Sequence, residues 1–128
     1  MAAYWLSRCL VRDPVQYKKY TDRVPAIVAA HGGKVLARGG RYQIMEGPET
    51  FHRFVVIEFP SLEAGVKCFQ SPEYTEAASF RRGEAGVEQL VEIVERALGI
   101  ALQAFPETPR GIGGRERREP RGDESAQI

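Results

Sequence analysis

A histidine, three arginines and three tyrosines are the residues of this 128-residue chain that could do chemistry. His31 is the sharpest candidate, because an imidazole titrates near physiological pH and can act as a general base or hold an anion. It directly precedes Gly32-Gly33, a pair that typically ends a helix. The alternative interpretation is that His31 only caps that helix. The other histidine, His52, is expected to be a solvated loop residue.

The three arginines lie on either side of a glycine pair, in segments that the sequence predicts as neighbouring strands. Guanidinium groups bind carboxylates in a bidentate manner, and glycine lets a ligand approach the backbone closely. We therefore predict a pocket for a small anionic organic molecule. Its candidate binding residues in this region are Arg38, Gly39, Arg41 and Arg53. The alternative is that these arginines form internal ion pairs with Glu46 and Glu58.

Three tyrosines, Tyr17, Tyr20 and Tyr74, occupy positions whose helical spacing points towards the predicted sheet. Phenol groups there can line a cavity and donate hydrogen bonds to a substrate. The alternative is that they are ordinary core residues. The pair Arg81-Arg82 could close the same pocket, but two arginines in a loop are expected to be exposed.

The sequence contains no pattern of a metal, nucleotide or nucleic-acid site. The two cysteines, Cys9 and Cys68, are too few for a disulfide framework or a four-thiolate zinc site, and the two histidines lack H-E-x-x-H spacing. No glycine-rich phosphate loop occurs, and no tightly bound cofactor is expected. The balance of 18 basic and 17 acidic residues argues against nucleic-acid binding. No apolar run approaches the roughly 20 residues of a membrane helix and no leader is recognisable, so a cytoplasmic protein is expected.

The elements that must position these residues follow the order β-α-β-β-α-β. Strands are predicted over residues 4–11, 34–38, 53–59 and 87–94, with residues 41–46 as a continuation or a second strand. Asp13-Pro14, Ser61 and Ser71-Pro72 begin helices, and Pro25 should kink or restart the first of them. This order predicts a ferredoxin-like α+β domain over residues 1–97, with an antiparallel sheet and helices on one face. Residues 98–128 are predicted to form an extension that is largely flexible from about residue 104.

The strands do not alternate cleanly between apolar and polar residues. Phe54-Val55-Val56-Ile57 is apolar on both faces, whereas helices can cover only one. Burying one such side chain is worth roughly 1.5–3 kcal/mol, so several exposed ones would be costly. We therefore predict a homodimer through the uncovered sheet face. The alternative is that residues 98–105 cover that face.

Several separated motifs together resemble the family known as domain of unknown function 1330, over about residues 3–96. The motifs are Tyr4-Trp5, Tyr17-x-x-Tyr20, His31-Gly32-Gly33, Leu36-Ala37-Arg38-Gly39-Gly40, Val56-Ile57-Glu58-Phe59-Pro60-Ser61 and Ser71-Pro72-Glu73-Tyr74. The resemblance implies membership of the dimeric α/β-barrel superfamily of ferredoxin-like domains. That superfamily includes cofactor-independent monooxygenases, haem-degrading enzymes and isomerases, so the fold does not fix the function.

Two functions are consistent with the sequence. The first is binding or transformation of a small anionic organic molecule in a cleft between helices and sheet, with His31 handling a proton. The second is a non-catalytic dimeric structural, adaptor or sensor module. The lack of a complete set of nucleophile, base and orienting residue in the sequence favours this second function.

Overall fold

The computed structural model describes residues 1–82 and 88–97, and the predicted extension over residues 98–128 lies outside them. The elements in chain order are β1 (Ala3–Leu10), α1 (Pro14–Thr21), α2 (Val24–Ala30), β2 (Lys34–Arg38), β3 (Arg53–Phe59), α3 (Leu62–Gln70), α4 (Pro72–Ala78) and β4 (Glu88–Glu95). Within the described residues, no helix is long and apolar enough to cross a membrane.

The four strands form one antiparallel sheet in the order β2-β3-β1-β4. In the central pairing, Trp5 on β1 lies opposite Ile57 on β3 and opposite Ile93 on β4. The first and third strands of the chain are therefore neighbours, and helices lie in the connection from β1 to β2 and in the connection from β3 to β4. This is the ferredoxin-like arrangement, and it confirms the fold class predicted from the sequence.

Side-chain caps fix where the helices begin. The Asp13 carboxylate accepts a hydrogen bond from the Gln16 amide at 3.2 Å, and Ser71 Oγ accepts one from the Tyr74 amide at 3.1 Å. The first predicted helix consists of two helices, because the chain leaves α1 at Thr21 and restarts at Val24. Pro25 lies in the first turn of α2, where its missing N–H removes no helical hydrogen bond.

The chain between β2 and β3 contains neither helix nor strand, so the predicted strand over residues 41–46 is wrong. Gly39 ends β2 with a φ of 68°, a conformation that favours glycine and interrupts an extended strand. Its amide donates to the Phe54 carbonyl at 3.2 Å as the last bond of that pairing. Gln43–Glu49 belongs to a unit separate from the sheet domain, and its Gly47 has a φ of 120°.

The core lies between the helices and one face of the sheet. Alternate residues of β1 are buried on this side, namely Ala3, Trp5, Ser7 and Cys9. The Trp5 ring lies 5.9 Å from Phe59, 5.6 Å from Phe69 and 5.3 Å from Tyr74, measured between ring centroids. Aromatic rings from β1, β3, α3 and α4 are thereby packed into one cluster.

The opposite face of the sheet, here called the open face, carries many apolar side chains that the helices do not cover. Leu90 and Val94 on β4 remain 48% and 50% exposed. The other apolar residues on this face are half-buried, and they comprise Tyr4, Leu6, Leu10, Phe54 and Val56. The sheet is therefore apolar on both faces, as its sequence pattern predicts.

Close packing where α2 ends gives a prediction for Gly33. A Cβ atom added there would lie 2.5 Å from Val28 Cγ1 and 2.7 Å from Phe59 Cε1, so core atoms would have to move. We expect Gly33→Ala to lower the free energy of unfolding by about 1–3 kcal/mol, the usual cost of overpacking. Urea denaturation measures this change. The control is Gly40→Ala, where nothing lies within 4 Å, and an equal loss in both variants would contradict the packing argument.

Candidate functional site

A cleft of about 860 Å³ opens between α1 and the edge of the sheet where β2 ends and β3 begins. Helix α1 supplies one wall, and the strand ends supply the basic residues. The lining residues are Val11, Pro14, Tyr17, Lys18, Thr21, Asp22, Pro25, Arg38, Gly39, His52 and Arg53. Four of the residues predicted to bind a ligand therefore lie around this cleft, which are Tyr17, Arg38, Gly39 and Arg53.

A β-bulge turns Arg38 towards the cleft. The register of β2 shifts between Val35 and Ala37, so that Val35 pairs with Ile57 whereas Arg38 pairs with Val55. Both partners lie on the helix-facing side of β3. Without the extra residue, strict alternation would place Arg38 on the opposite face from Val35.

Arg53 is held against Gly39 and Tyr17. A Cβ atom at position 39 would approach Arg53 Nη1 to 2.8 Å, so the glycine makes room for the guanidinium group. The Arg53 guanidinium carbon lies 5.6 Å from the centroid of the Tyr17 ring, within the range of a cation–π contact. The Arg53 Nε atom is buried and has no hydrogen-bond partner.

The positive charge of the cleft is only partly balanced by its acidic residue. Lys18 forms an ion pair with Asp22 at 3.0 Å. In the described part of the chain, neither Arg38 nor Arg53 forms an ion pair. Glu58, one of the two predicted partners, lies on the open face, where Tyr4 is its Cα partner. Glu46, the other predicted partner, belongs to the separate unit.

A smaller cavity of about 40 Å³, here called the inner cavity, shares part of its lining with the cleft. The shared residues are Tyr17, Thr21, Pro25, Arg38 and Arg53, and the other lining residues are Trp5, Ser7, Tyr20, Val24, Val35, Val55, Ile57 and Gln89. The cleft therefore continues inwards from a basic mouth to a narrow and largely apolar end.

A short hydrogen-bond chain lies beside the inner cavity. Tyr17 Oη donates to Cys9 Sγ at 3.5 Å, and the Cys9 thiol donates to Gln89 Oε1 at 3.3 Å. Burial raises the pKa of Tyr17 above its ordinary value, and the neighbouring Cys9 adds to this shift. The sequence analysis missed Gln89, although a glutamine on the same strand face as Val91 and Ile93 is a recognisable signal of a polar group facing the core.

A second chain of hydrogen bonds lies deeper in the helix layer. The Tyr20 and Tyr74 hydroxyls are 2.7 Å apart, and Arg81 Nη2 donates to Tyr74 Oη at 3.1 Å. Burial raises the pKa of Tyr74. Arg81 is only 4% exposed, so the expectation that both Arg81 and Arg82 are exposed is wrong for Arg81. The turn after α4 directs Arg81 inwards over the Tyr20 ring, at 5.2 Å from its centroid.

His31 lies at the end of a helix, as its alternative interpretation predicts, and His52 is an exposed loop residue, as expected. His31 is the C-cap of α2, and its Nδ1–H donates to the Ile27 carbonyl at 2.9 Å. Neither His31 nor Arg41 lines the cleft. His52 does line it, and its Nε2 accepts a hydrogen bond from the Val11 amide at 3.3 Å. No group of three or more metal-ligating side chains occurs among the residues that the structure covers.

The fold and this basic cleft define the class of the protein, a ferredoxin-like α+β domain with a pocket between its helices and its sheet. The chain belongs to the family described as Domain of unknown function (DUF1330), whose sequence model matches residues 2–96. Comparison with curated proteins finds no match.

Several solved structures share this fold. A protein of unknown function from Rhodopseudomonas palustris is 22% identical, with a TM-score of 0.61 over 75% of this chain and 82% of that chain. A dimeric ferredoxin-like protein of unknown function from Jannaschia sp. CCS1 is 14% identical, with a TM-score of 0.56 over 75% and 100% of the two chains. A dimeric protein of unknown function and ferredoxin-like fold from Bacteroides fragilis is 15% identical, with a TM-score of 0.51 over 74% and 96%. At these identities the likeness shows the fold alone.

The buried thiol of Cys68 gives a prediction for the stability of the protein at alkaline pH. Burial, with a smaller effect of Glu73, raises the pKa of Cys68 from 9.0 to about 11. The unfolded chain therefore loses the thiol proton first, and the free energy of unfolding should fall by roughly 2 kcal/mol as the pH rises through this interval. Urea denaturation at pH 8 to about 11 measures the decline, which should be less steep in Cys68→Ala. An identical slope in both proteins would contradict the assignment to Cys68.

Proposed function

We propose that this protein binds a small organic anion in the cleft, with Arg38 and Arg53 as the residues that hold the charged group. The observation that carries the proposal is the Arg53 guanidinium, whose Nε atom is buried without a partner. An arginine held beside Gly39 and Tyr17 has little freedom left to lose when it binds a carboxylate. The proposal requires no tightly held cofactor.

The size and composition of the site favour an organic anion over an inorganic ion. The cleft volume of about 860 Å³ falls in the range of small-molecule sites, roughly 300–1,000 Å³. Tyr17 and Pro25 supply apolar wall next to the arginines. A carboxylate can accept bidentate hydrogen bonds from guanidinium groups, while an attached chain or ring contacts the apolar wall. Tyr20 then faces the far end of such a molecule, with Tyr74 behind it.

A non-catalytic sensor or adaptor is the second candidate function, and one observation favours it. Among the residues lining the described cleft, no nucleophile is hydrogen-bonded to a general base. His31 takes no part, because its Nδ1 is engaged in the cap of α2. Ligand binding is common to both candidates, so binding is the property to measure first.

Loss of Arg53 should weaken the binding of simple carboxylates. We expect Arg53→Gln to reduce the affinity for pentanoate and for para-ethylbenzoate about tenfold or more, because a charge-assisted hydrogen bond contributes about 1.5–3 kcal/mol. Isothermal titration calorimetry measures the affinities. The matched control is Arg82→Gln, which removes the same charge from an exposed residue outside the cleft. Equal affinities of the two variants, or no binding to the unaltered protein, would refute the proposed site.

We further propose that the protein is a homodimer in which the open faces of two sheets pack together. Apolar side chains on that face, including Leu90 and Val94, are about half exposed, and a second copy would bury them at a gain of about 25 cal/mol per Å². Two proteins of the same fold are described as dimeric, which supports the proposal. An ion pair between Arg8 and Glu92 at 3.4 Å neutralises two of the charges on this face.

A charge placed on the open face should separate the copies. We expect Leu90→Glu to shift the sedimenting mass from twice the chain mass to that of one chain, because pairing would bury the new carboxylate. The control is Val15→Glu, at an apolar residue on α1 that is 77% exposed and should tolerate a charge. Sedimentation of the unaltered protein as a monomer at micromolar concentration would rule out this interface.

A further inference from the structure

The Tyr20–Tyr74–Arg81 chain has a direction that its donors and acceptors determine. A guanidinium group has donors only, so Tyr74 Oη accepts from Arg81. Tyr74 is 0% exposed, and its hydroxyl proton requires an acceptor within the core. In the described residues the remaining partner of Tyr74 Oη is Tyr20 Oη, at 2.7 Å. The Tyr74 hydroxyl therefore donates to Tyr20.

This direction leaves the Tyr20 proton without an acceptor among the described hydrogen bonds. Tyr20 is 6% exposed, and it lines the inner cavity together with Trp5, Val24 and Ile57. If Tyr20 donated to Tyr74 instead, the leftover proton would be on Tyr74, which does not line either cavity. Donation from Tyr74 to Tyr20 therefore puts the spare donor at the residue that a bound molecule can reach.

We propose that Tyr20 donates this hydrogen bond to a second oxygen of the bound anion, and that the ligand is an oxo acid, with a carboxylate at one end and a carbonyl group at the other. The inference rests on the proposed anion site at Arg38 and Arg53. Tyr20 is the ligand-contacting residue, and Tyr74 and Arg81 are positioning residues that act through it.

The hydrogen-bond chain from Arg81 to Tyr20 favours a ligand oxygen that lacks a proton of its own as the acceptor. Arg81 keeps its charge, since the opposing effects of burial and of the Tyr74 and Tyr20 oxygens leave its pKa above the ordinary value. A cation at the start of a hydrogen-bond chain polarises each following hydroxyl, so the Tyr20 proton is a stronger donor than that of an isolated phenol. A ketone or ester carbonyl oxygen fits such a donor.

The inner cavity also sets the size of the group that enters it. Its volume of about 40 Å³ exceeds the roughly 10–15 Å³ that a cavity needs to hold one water molecule. A single carbonyl group can therefore take the place of a water molecule beside Tyr20, while the larger part of the ligand stays in the cleft. An apolar end group of equal size would leave the Tyr20 donor unpaired, which costs affinity.

Matched pairs of acids test this inference. Levulinate differs from pentanoate, and para-acetylbenzoate from para-ethylbenzoate, by a carbonyl oxygen in place of two hydrogens. We expect the unaltered protein to bind at least one oxo acid about tenfold more tightly than its partner, as a polarised hydrogen bond implies. Tyr20→Phe should abolish that preference, so that the two acids of a pair bind with about equal affinity. Tyr42→Phe, at an exposed tyrosine that contacts Phe54 on the other side of the sheet, is the control.

The positioning residues need a signal that a packing role would not change. The signal is the NMR resonance of tyrosine labelled with 13C at Cζ, and the oxo acid should shift the resonance of Tyr20. Tyr74→Phe keeps the ring that fills the core. It should nevertheless reduce both this shift and the preference for the oxo acid. Arg81→Lys should keep more of the preference than Arg81→Met, because it retains a cation.

The possible failures are distinguishable. If neither acid of a pair binds, the proposed anion site and the oxo-acid inference both fail. If pentanoate binds in a manner that depends on Arg53 but levulinate and para-acetylbenzoate show no advantage, only the oxo-acid inference is overturned. A preference that survives Tyr20→Phe overturns it as well.

Discussion

Helices cover one face of this sheet, so each strand places alternate residues in two different surroundings. On β1, Trp5 and Cys9 face the helices and are buried, while Leu6 and Leu10 face the open side and are half-buried. The helix side contains the aromatic core and both cavities. The open side contains apolar surface that no helix of the described residues covers, and Tyr42 packs on Phe54 there. The proposed ligand site and the proposed interface with a second copy therefore lie on opposite faces of the same four strands.

The helix side has to accommodate two arginines within an aromatic core. Arg53 lies beside Gly39 and the Tyr17 ring, and Arg81 lies over the rings of Tyr20 and Tyr74. The π face of Tyr17 at Arg53, and two π faces with the Tyr74 hydroxyl oxygen at Arg81, take the place of the carboxylate partner that a buried guanidinium usually has. The difference is access, because Arg53 lines the open cleft whereas Arg81 lies behind two tyrosines. One arginine is thus available to a ligand directly, and the other acts only through hydroxyl groups.

Local signals in the sequence were sufficient for the elements but not for the arrangement of the site. The strands β2 and β3 and the starts of α1, α3 and α4 follow from apolar runs, capping residues and prolines, which act within a few residues. Tyr17 and Tyr20 share a face because helical spacing requires it. Arg81, in contrast, is buried because of rings that come from α1 and α4, and the sequence near Arg81 contains no sign of them. His52 enters the cleft through a bond to Val11, which lies far from it in the chain.

The bulge in β2 shows how a small backbone feature determines on which face of the sheet a charged side chain lies. Arg53 begins β3 on the helix side, and strict alternation then places Phe54 and Val56 on the open face. Arg38, on the neighbouring strand, reaches the side of Arg53 only because the register shifts before Ala37. With an unbroken register its charge would fall among the apolar residues of the open face, where it would weaken the cleft and oppose the packing of a second sheet. One additional residue in an edge strand therefore keeps the basic groups together on one side and leaves the other side apolar.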